Sequence, residues 1–245
     1  MVSQVGTLEE LPSHYLYRER ELTEGFEALH HLYPDFYDRL MAVLTGPEKA
    51  NKGETFPHTL RVGHLSGLIC ETLDLPASMT VLIRKAGPLH DIGKMFIPDE
   101  ILLKPAKLNL MEWFIMTDHT TRGWDFLNDS DSEILRLAAR ICLAHHERWD
   151  GYGYPSGSIQ GNIPLEGQIV GLADCFDSIV SSRPYRKAFA FHDGVEEIRK
   201  QKGRQFSPLI VHAFLSREEE IREIYSEDLS AFPWNESEDS LGNWN

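Results

Sequence analysis

Three apolar stripes at helical spacing each lead to a histidine, and no other feature limits the fold of this chain so much. Met79, Leu82, Ile83 and Ala86 follow an i, i+3, i+4, i+7 pattern. Four residues further on stands His90, with Asp91 behind it. Ile134, Leu137, Ala138 and Ile141 repeat the pattern, and four residues on stands His145, followed by His146. His58 lies four residues before Val62, in a stripe continued by Leu65 and Ile69. That helix is expected to start near Pro57, since proline is tolerated in a first turn. Ile169, Ala173, Phe176 and Val180 give one more stripe, and nothing alternates with period two. The expected fold class is all-α, a helical bundle with imidazoles at the inner ends of its helices.

A lone histidine on an apolar face is usually a hydrogen-bonded core residue. Three helices that each deliver one inward, two of them with an adjacent second ligand, read differently. Burying several imidazoles together is costly unless a cation is shared among them. Histidine mixed with aspartate, without a Cys-x-x-Cys pair, suits iron, manganese or a similar divalent ion better than structural zinc. Hydrolysis needs such a set, because divalent ions acidify water and neutralise phosphoryl oxygens. Spacing alone leaves an oxygenase or a structural metal site open.

Residues 1–50 read as an N-terminal helical extension, with Leu22, Phe26 and Leu29 and then Phe36, Leu40 and Leu44 at helical spacing. A turn-rich stretch leads into the main body at 51–225. The acidic stretch 226–245 lacks periodicity and reads as a flexible tail. Gly and Pro crowd residues 147–167, which are expected to form a long ordered loop, and loops of that length are usually functional. The net charge of −14 disfavours long nucleic acid, whose binding depends on cationic contacts to phosphates. No apolar run is long enough to span a bilayer, and no leader opens the sequence. Cys70, Cys142 and Cys175 sit in helix-like apolar stretches and read as reduced core residues, which points to a cytoplasmic setting.

His90-Asp91-Ile92-Gly93-Lys94 resembles the signature of the HD superfamily of metal-dependent phosphohydrolases. The run His145-His146-Glu147-Arg148-Trp149-Asp150-Gly151-Tyr152-Gly153-Tyr154-Pro155 resembles the extended motif of its HD-GYP subfamily. Ordered matches continue from about residue 54 to 215. They include Ile97-Pro98-Asp99, Lys104-Pro105, His119, Ile163-Pro164-Leu165, Ala173-Asp174-Cys175-Phe176-Asp177 and Arg183-Pro184-Tyr185-Arg186-Lys187.

The resemblance implies a helical cytoplasmic phosphodiesterase of cyclic dinucleotides, above all cyclic di-GMP, with two or three divalent ions. It implies metal-ligand roles for His58, His90, Asp91, His119, His145, His146 and Asp174, with Asp91 bridging ions and Lys94 facing the phosphate. Asp91 and Lys94 are thus the catalytic candidates. Glu54 matches the carboxylate of members with a third ion, although this chain reads Glu54-Thr55-Phe56-Pro57-His58 where the family has Glu-Thr-Gly. If Pro57 starts the helix, Glu54 falls in the preceding loop, off i, i+4 geometry. Arg183, Arg186 and Tyr185 match the substrate-contacting run, and guanidinium suits both guanine and phosphate. Asp177 is expected to orient a ligand or the substrate. Gly151, Gly153 and Pro155 are expected to shape the loop, which is also the candidate surface for a protein partner, and Trp149 and Tyr154 to pack it. Two rival readings stay open: a cyclic-dinucleotide sensor or adaptor without turnover, and an HD-type hydrolase of another nucleotide phosphate ester.

Overall fold

The computed structural model describes residues 57–181 and 188–226. The expected N-terminal helices, Glu54, the run holding Arg183, Tyr185 and Arg186, and the tail from 227 onward lie outside the described residues. Ten α-helices are present among those described: α1 (Pro57–Thr72), α2 (Ala77–Ala86), α3 (Asp99–Leu102), α4 (Leu110–Thr117), α5 (His119–Leu127), α6 (Glu133–Ala144), α7 (Leu165–Val180), α8 (Phe191–Lys200), α9 (Pro208–Leu215) and α10 (Glu218–Ser226). Short 3-10 segments cover Gly87–Leu89, Ile92–Phe96 and Gln160–Asn162. Among the described residues the sole β feature is an isolated bridge between Lys202 and Phe206.

The stripes become the core. α1 packs on α2 and α7, α6 lies against α2, α5 and α7, and α8 and α9 close the far side of α7. Leu65, Ile69, Ile83, Leu89, Leu135, Phe176 and Phe214 are fully enclosed. Burying a side chain of this size contributes about 1.5–3 kcal/mol relative to leaving it exposed. Cys70 and Cys142 are free and buried, and Cys175 is partly so. Burial pushes the Cys70 thiol up to about 12, as expected of a reduced core residue.

Three expectations need correction. The stripe from Met79 does not run as one helix to His90. α2 stops at Ala86, and a 3-10 turn over Gly87–Leu89 carries the chain onward, because Pro88 has no N–H to continue the α-helical ladder. Met79, read as part of the apolar face, is 38% exposed, while Thr80 takes a buried place on that helix. The Gly/Pro-rich loop ends earlier than residue 167. Pro164 precedes the first turn of α7, which begins at Leu165. Gly167 lies inside that turn, where a Cβ would meet the Ala144 side chain at 2.5 Å. At the other end, α10 reaches Ser226, one residue into the stretch read as tail.

Candidate metal centre

Five elements deliver their polar residues to one place. His58 lies in the first turn of α1, and His90 follows the 3-10 turn over Gly87–Leu89. His119 opens α5, His145 caps the C-terminus of α6, and Asp174 projects from α7. Each sits at or near the end of an element or on a core-facing side, so a histidine reaches the interior without breaking the ladder behind it.

The ring orientations follow from hydrogen bonds. The Nδ1 atoms bond carbonyl oxygens: His90 to Gly87 at 2.9 Å, His119 to Met116 at 2.7 Å, and His145 to Cys142 at 2.9 Å and Ile141 at 3.1 Å. A carbonyl only accepts, so Nδ1 carries the hydrogen, and Nε2 is the ring atom turned inward. His58 reaches the same state differently, with its Nδ1 donating to Oδ2 of Asp177 at 2.8 Å.

The inward atoms fall into two groups. Asp91, His119, His145 and His146 form one, and His58, His90 and Asp174 the other, with the candidate ligand atoms of each group within 4.8 Å of one another. Asp91 faces both. Its Oδ1 is 3.3 Å from His119 Nε2 and 3.7 Å from His145 Nε2, while its Oδ2 is 3.4 Å from His90 Nε2. Asp174 Oδ1 lies 3.4 Å from His58 Nε2 and 3.7 Å from His90 Nε2. Two atoms that each bind one ion at about 2.1 Å stand about 3 to 4 Å apart, so these spacings fit divalent ions.

Satisfaction of polar atoms gives a second test of fit. Nε2 of His90, His119 and His145 and Oδ1 of Asp91 are buried and make no hydrogen bond. An unsatisfied buried polar atom costs about 1–3 kcal/mol, and a cation would partner all four. Charge is arranged to match. Burial opposes ionisation of Asp91, but Lys94 first and then His90 hold its carboxyl well below the usual range. Burial works against a charged His90 ring, yet Asp91 and Asp174 outweigh it and raise its pKa. His145 and His146 move the other way. Burial lowers both, for His146 with help from His145. A low pKa leaves these two rings free of the proton that would block metal, whereas His90 holds a proton that an ion would displace.

A 440 Å³ cleft is lined by Asp91, Lys94, His145, His146 and Asp174 together with Trp113, Arg148 and Trp149. Lys94 pairs with Asp91 Oδ2 at close range. Tyr154 stacks on His146, with ring centroids 4.7 Å apart and planes at 28°, and meets Trp113 edge-on. Gly151 has φ of +82° and the Tyr154–Pro155 peptide is cis. Glu147 closes the loop by accepting from the N–H groups of Ser156 and Ser158. Tyr152 at the loop's tip is 87% exposed.

Of the roles expected of Asp177, the structure supplies the contact for one, orientation of His58. The substrate-binding reading does not fit. Asp177 is 1% exposed, both its oxygens are bonded to protein, and it is not among the residues facing the cleft. Sequence reasoning missed Arg61 and Tyr225, which hold Asp177, and Trp113 at the cleft's edge. Arg61 follows His58 by three residues on the same helix, a spacing that hinted at a shared partner.

Two neighbouring clusters of candidate metal ligands, joined by one aspartate within a helical bundle, define the class. The chain belongs to the HD domain family, whose model matches residues 49–210, and its Gly-Tyr-Pro motif puts it in the HD-GYP branch. It is 46% identical over 193 residues to a cyclic di-GMP phosphodiesterase of Thermotoga maritima, covering 79% of this chain and 52% of that one. It is 40% identical over 172 residues to the cyclic di-GMP phosphodiesterase response regulator RpfG of Xanthomonas campestris, covering 70% and 46%. A 3'3'-cGAMP-specific phosphodiesterase of Vibrio cholerae is 38% identical over 177 residues, covering 72% and 34%. The chain thus spans about half or less of the length of these relatives.

Proposed function

We propose that this chain is a metal-dependent phosphodiesterase that opens cyclic di-GMP to the linear dinucleotide pGpG and, with a second cut, to GMP. The observation that carries this reading is Asp91, which turns one carboxylate oxygen to each ligand group and sits beside Lys94 at the cleft. His58, His90 and Asp174 would hold one divalent ion and His119, His145 and His146 another, with Asp91 between them. Iron or manganese suits the donor set. Bound there, the ions would supply Lewis-acid charge and a readily ionised water.

The chain's own residues do the rest. Lys94 lines the cleft and bears a cation where a phosphate oxygen would enter, so it balances the negative charge that builds on the phosphoryl oxygens as a water oxygen bonds to phosphorus and the bond to the ribose 3′ oxygen breaks. The backbone carbonyls behind His90, His119 and His145 lock those rings, which keeps the centre preorganised. Tyr154 packs against His146 and fixes that side of the cleft. Arg183, Arg186 and Tyr185 are assigned to guanine and phosphate contacts, and Glu54 to a third ion. The exposed Tyr152 supports the Gly-Tyr-Pro loop as a surface for a protein partner. Cytoplasmic location completes the proposal, and no helix among the described residues is long and apolar enough to cross a membrane.

Anaerobically purified protein reconstituted with Mn²⁺ or Fe²⁺ should convert cyclic di-GMP to pGpG, resolved by chromatography. His90→Ala combined with Asp91→Ala should abolish turnover, and activity that survives loss of both would overturn the reading. The same assay with 3'3'-cGAMP decides which cyclic dinucleotide is preferred. Tight binding of the dinucleotide without turnover under every metal would make the chain a sensor.

A further inference from the structure

Three of the metal-centre histidines are held by backbone carbonyls: His90 and His145 by the turn or helix that leads to them, and His119 by Met116 of α4. His58 is different. Its Nδ1 acceptor is a side chain, Asp177, which is itself held by other side chains. Arg61 sets Nε against Asp177 Oδ1 and Nη2 3.1 Å from Oδ2, and the same Nη2 donates to Ser181 Oγ at 2.9 Å. Ser181 donates to Oδ2 at 3.2 Å. From α10, Tyr225 donates its hydroxyl to Oδ1 at 2.7 Å. The Arg61 guanidinium lies 5.4 Å from the centre of the Tyr225 ring, and that ring packs edge-on against Phe176. A carboxylate with this many donors has one allowed orientation. The hydroxyl from α10 is the one contact in the set that comes from beyond α1 and the end of α7.

We propose that Tyr225 is a positioning residue for the metal centre. By fixing Asp177 it orients His58, and so sets how tightly the His58–His90–Asp174 group holds its ion, while the Asp91–His119–His145–His146 group is unaffected. The C-terminal helix thereby controls one of two ion sites, and anything that lifts α10 off α7 would empty that site first. This inference rests on the two-ion reading above.

The test uses the full chain, stripped with a chelator and titrated with Mn²⁺ by calorimetry and low-temperature electron paramagnetic resonance. Wild type should take up at least two ions per chain, the third being the one assigned to Glu54, and show the signal of exchange-coupled ions. Tyr225→Phe keeps the ring and removes only the hydroxyl. It should weaken one site about tenfold, the lower end of what outer-sphere partners of metal ligands contribute, and leave the other unchanged. Near-stoichiometric Mn²⁺ should then give mainly the uncoupled, single-ion signal. Arg61→Lys keeps the charge but loses the fork, so it should weaken the same site and serves should Tyr225→Phe fold poorly. Leu135→Ala, a core truncation at a residue that does not bond Asp177, should lower stability without separating the two affinities. Two or more ions in wild type with Tyr225→Phe indistinguishable, or with both sites weakened together, would overturn the inference alone. Fewer than two ions in wild type would overturn the two-ion reading and this inference with it.

Discussion

Gly93 occupies a position with no room for a side chain. A Cβ there would lie 1.8 Å from the carbonyl oxygen of His119 and 2.6 Å from the backbone nitrogen of Gly123. Both neighbours are backbone atoms of α5, so Gly93→Ala must push α5 away from the turn that carries Asp91. We expect a loss of about 3 kcal/mol or more in urea unfolding, at the upper end of overpacking effects, together with weakened metal uptake. Gly161, with nothing within 4 Å of its Cβ position, is the matched control, and its alanine variant should stay within about 0.5 kcal/mol of wild type. Equal stability of the two variants would refute the steric account. The contrast also shows what a sequence can disclose at this scale. His90, Asp91 and His145 are legible because their chemistry is conspicuous on an apolar stripe. Gly93 is legible only as a letter in a motif, since its reason is the approach of another helix. Tyr225 was illegible, because it meets Asp177 across 48 residues of chain, and Arg61, 116 residues away, offered only its spacing from His58.

At the scale of elements, α4 stands apart. Leu110 is 70% exposed and Met111 69%, and the helix has no buried residue. It is held from its N-terminal end. Asn109 accepts from the Glu112 N–H at 2.9 Å, Glu112 accepts from the Asn109 N–H at 2.8 Å, and Lys104 pairs with the same carboxylate. Eight residues with no buried face are too few to persist in water unaided, so the capping box carries much of the helix. Asn109→Ala should therefore cost about 1 kcal/mol locally. Amides 111–116 should exchange several-fold faster while the urea midpoint of the whole domain stays put, and a change in both together would show α4 to be part of the cooperative core. This helix explains one gap in what the sequence discloses. Stripes reveal helices that are apolar on one face, as α6 and α7 are, whereas Leu110 to Met116 is apolar nearly all round and has no stripe to read. The break after α2 was readable in Pro88, but the inward path of His90 across that break follows from how the 3-10 turn packs.

For the molecule as a whole, the centre joins elements that otherwise share few polar contacts. α1, α5, α6, α7 and the turn bearing Asp91 all place ligand atoms there, in a chain of net charge −14. Without an ion, two partly buried carboxylates and the facing histidines crowd together with Lys94 as the fixed cation beside Asp91, and four inward atoms lack any hydrogen bond. An ion that binds only the folded state stabilises it by about 4 kcal/mol at a thousand times its dissociation constant. In a domain of this size each kcal/mol is worth about 2–4 °C in Tm. Removing metal with a chelator at neutral pH should therefore lower the calorimetric Tm by about 10 °C, and adding Mn²⁺ back should restore it. His90→Ala should show a smaller response, because its loss already frees the ligand group that shares Asp174. A Tm that stays constant while metal content falls to zero would mean that the helices close around the centre on packing alone, and the ions would then serve chemistry and not the fold.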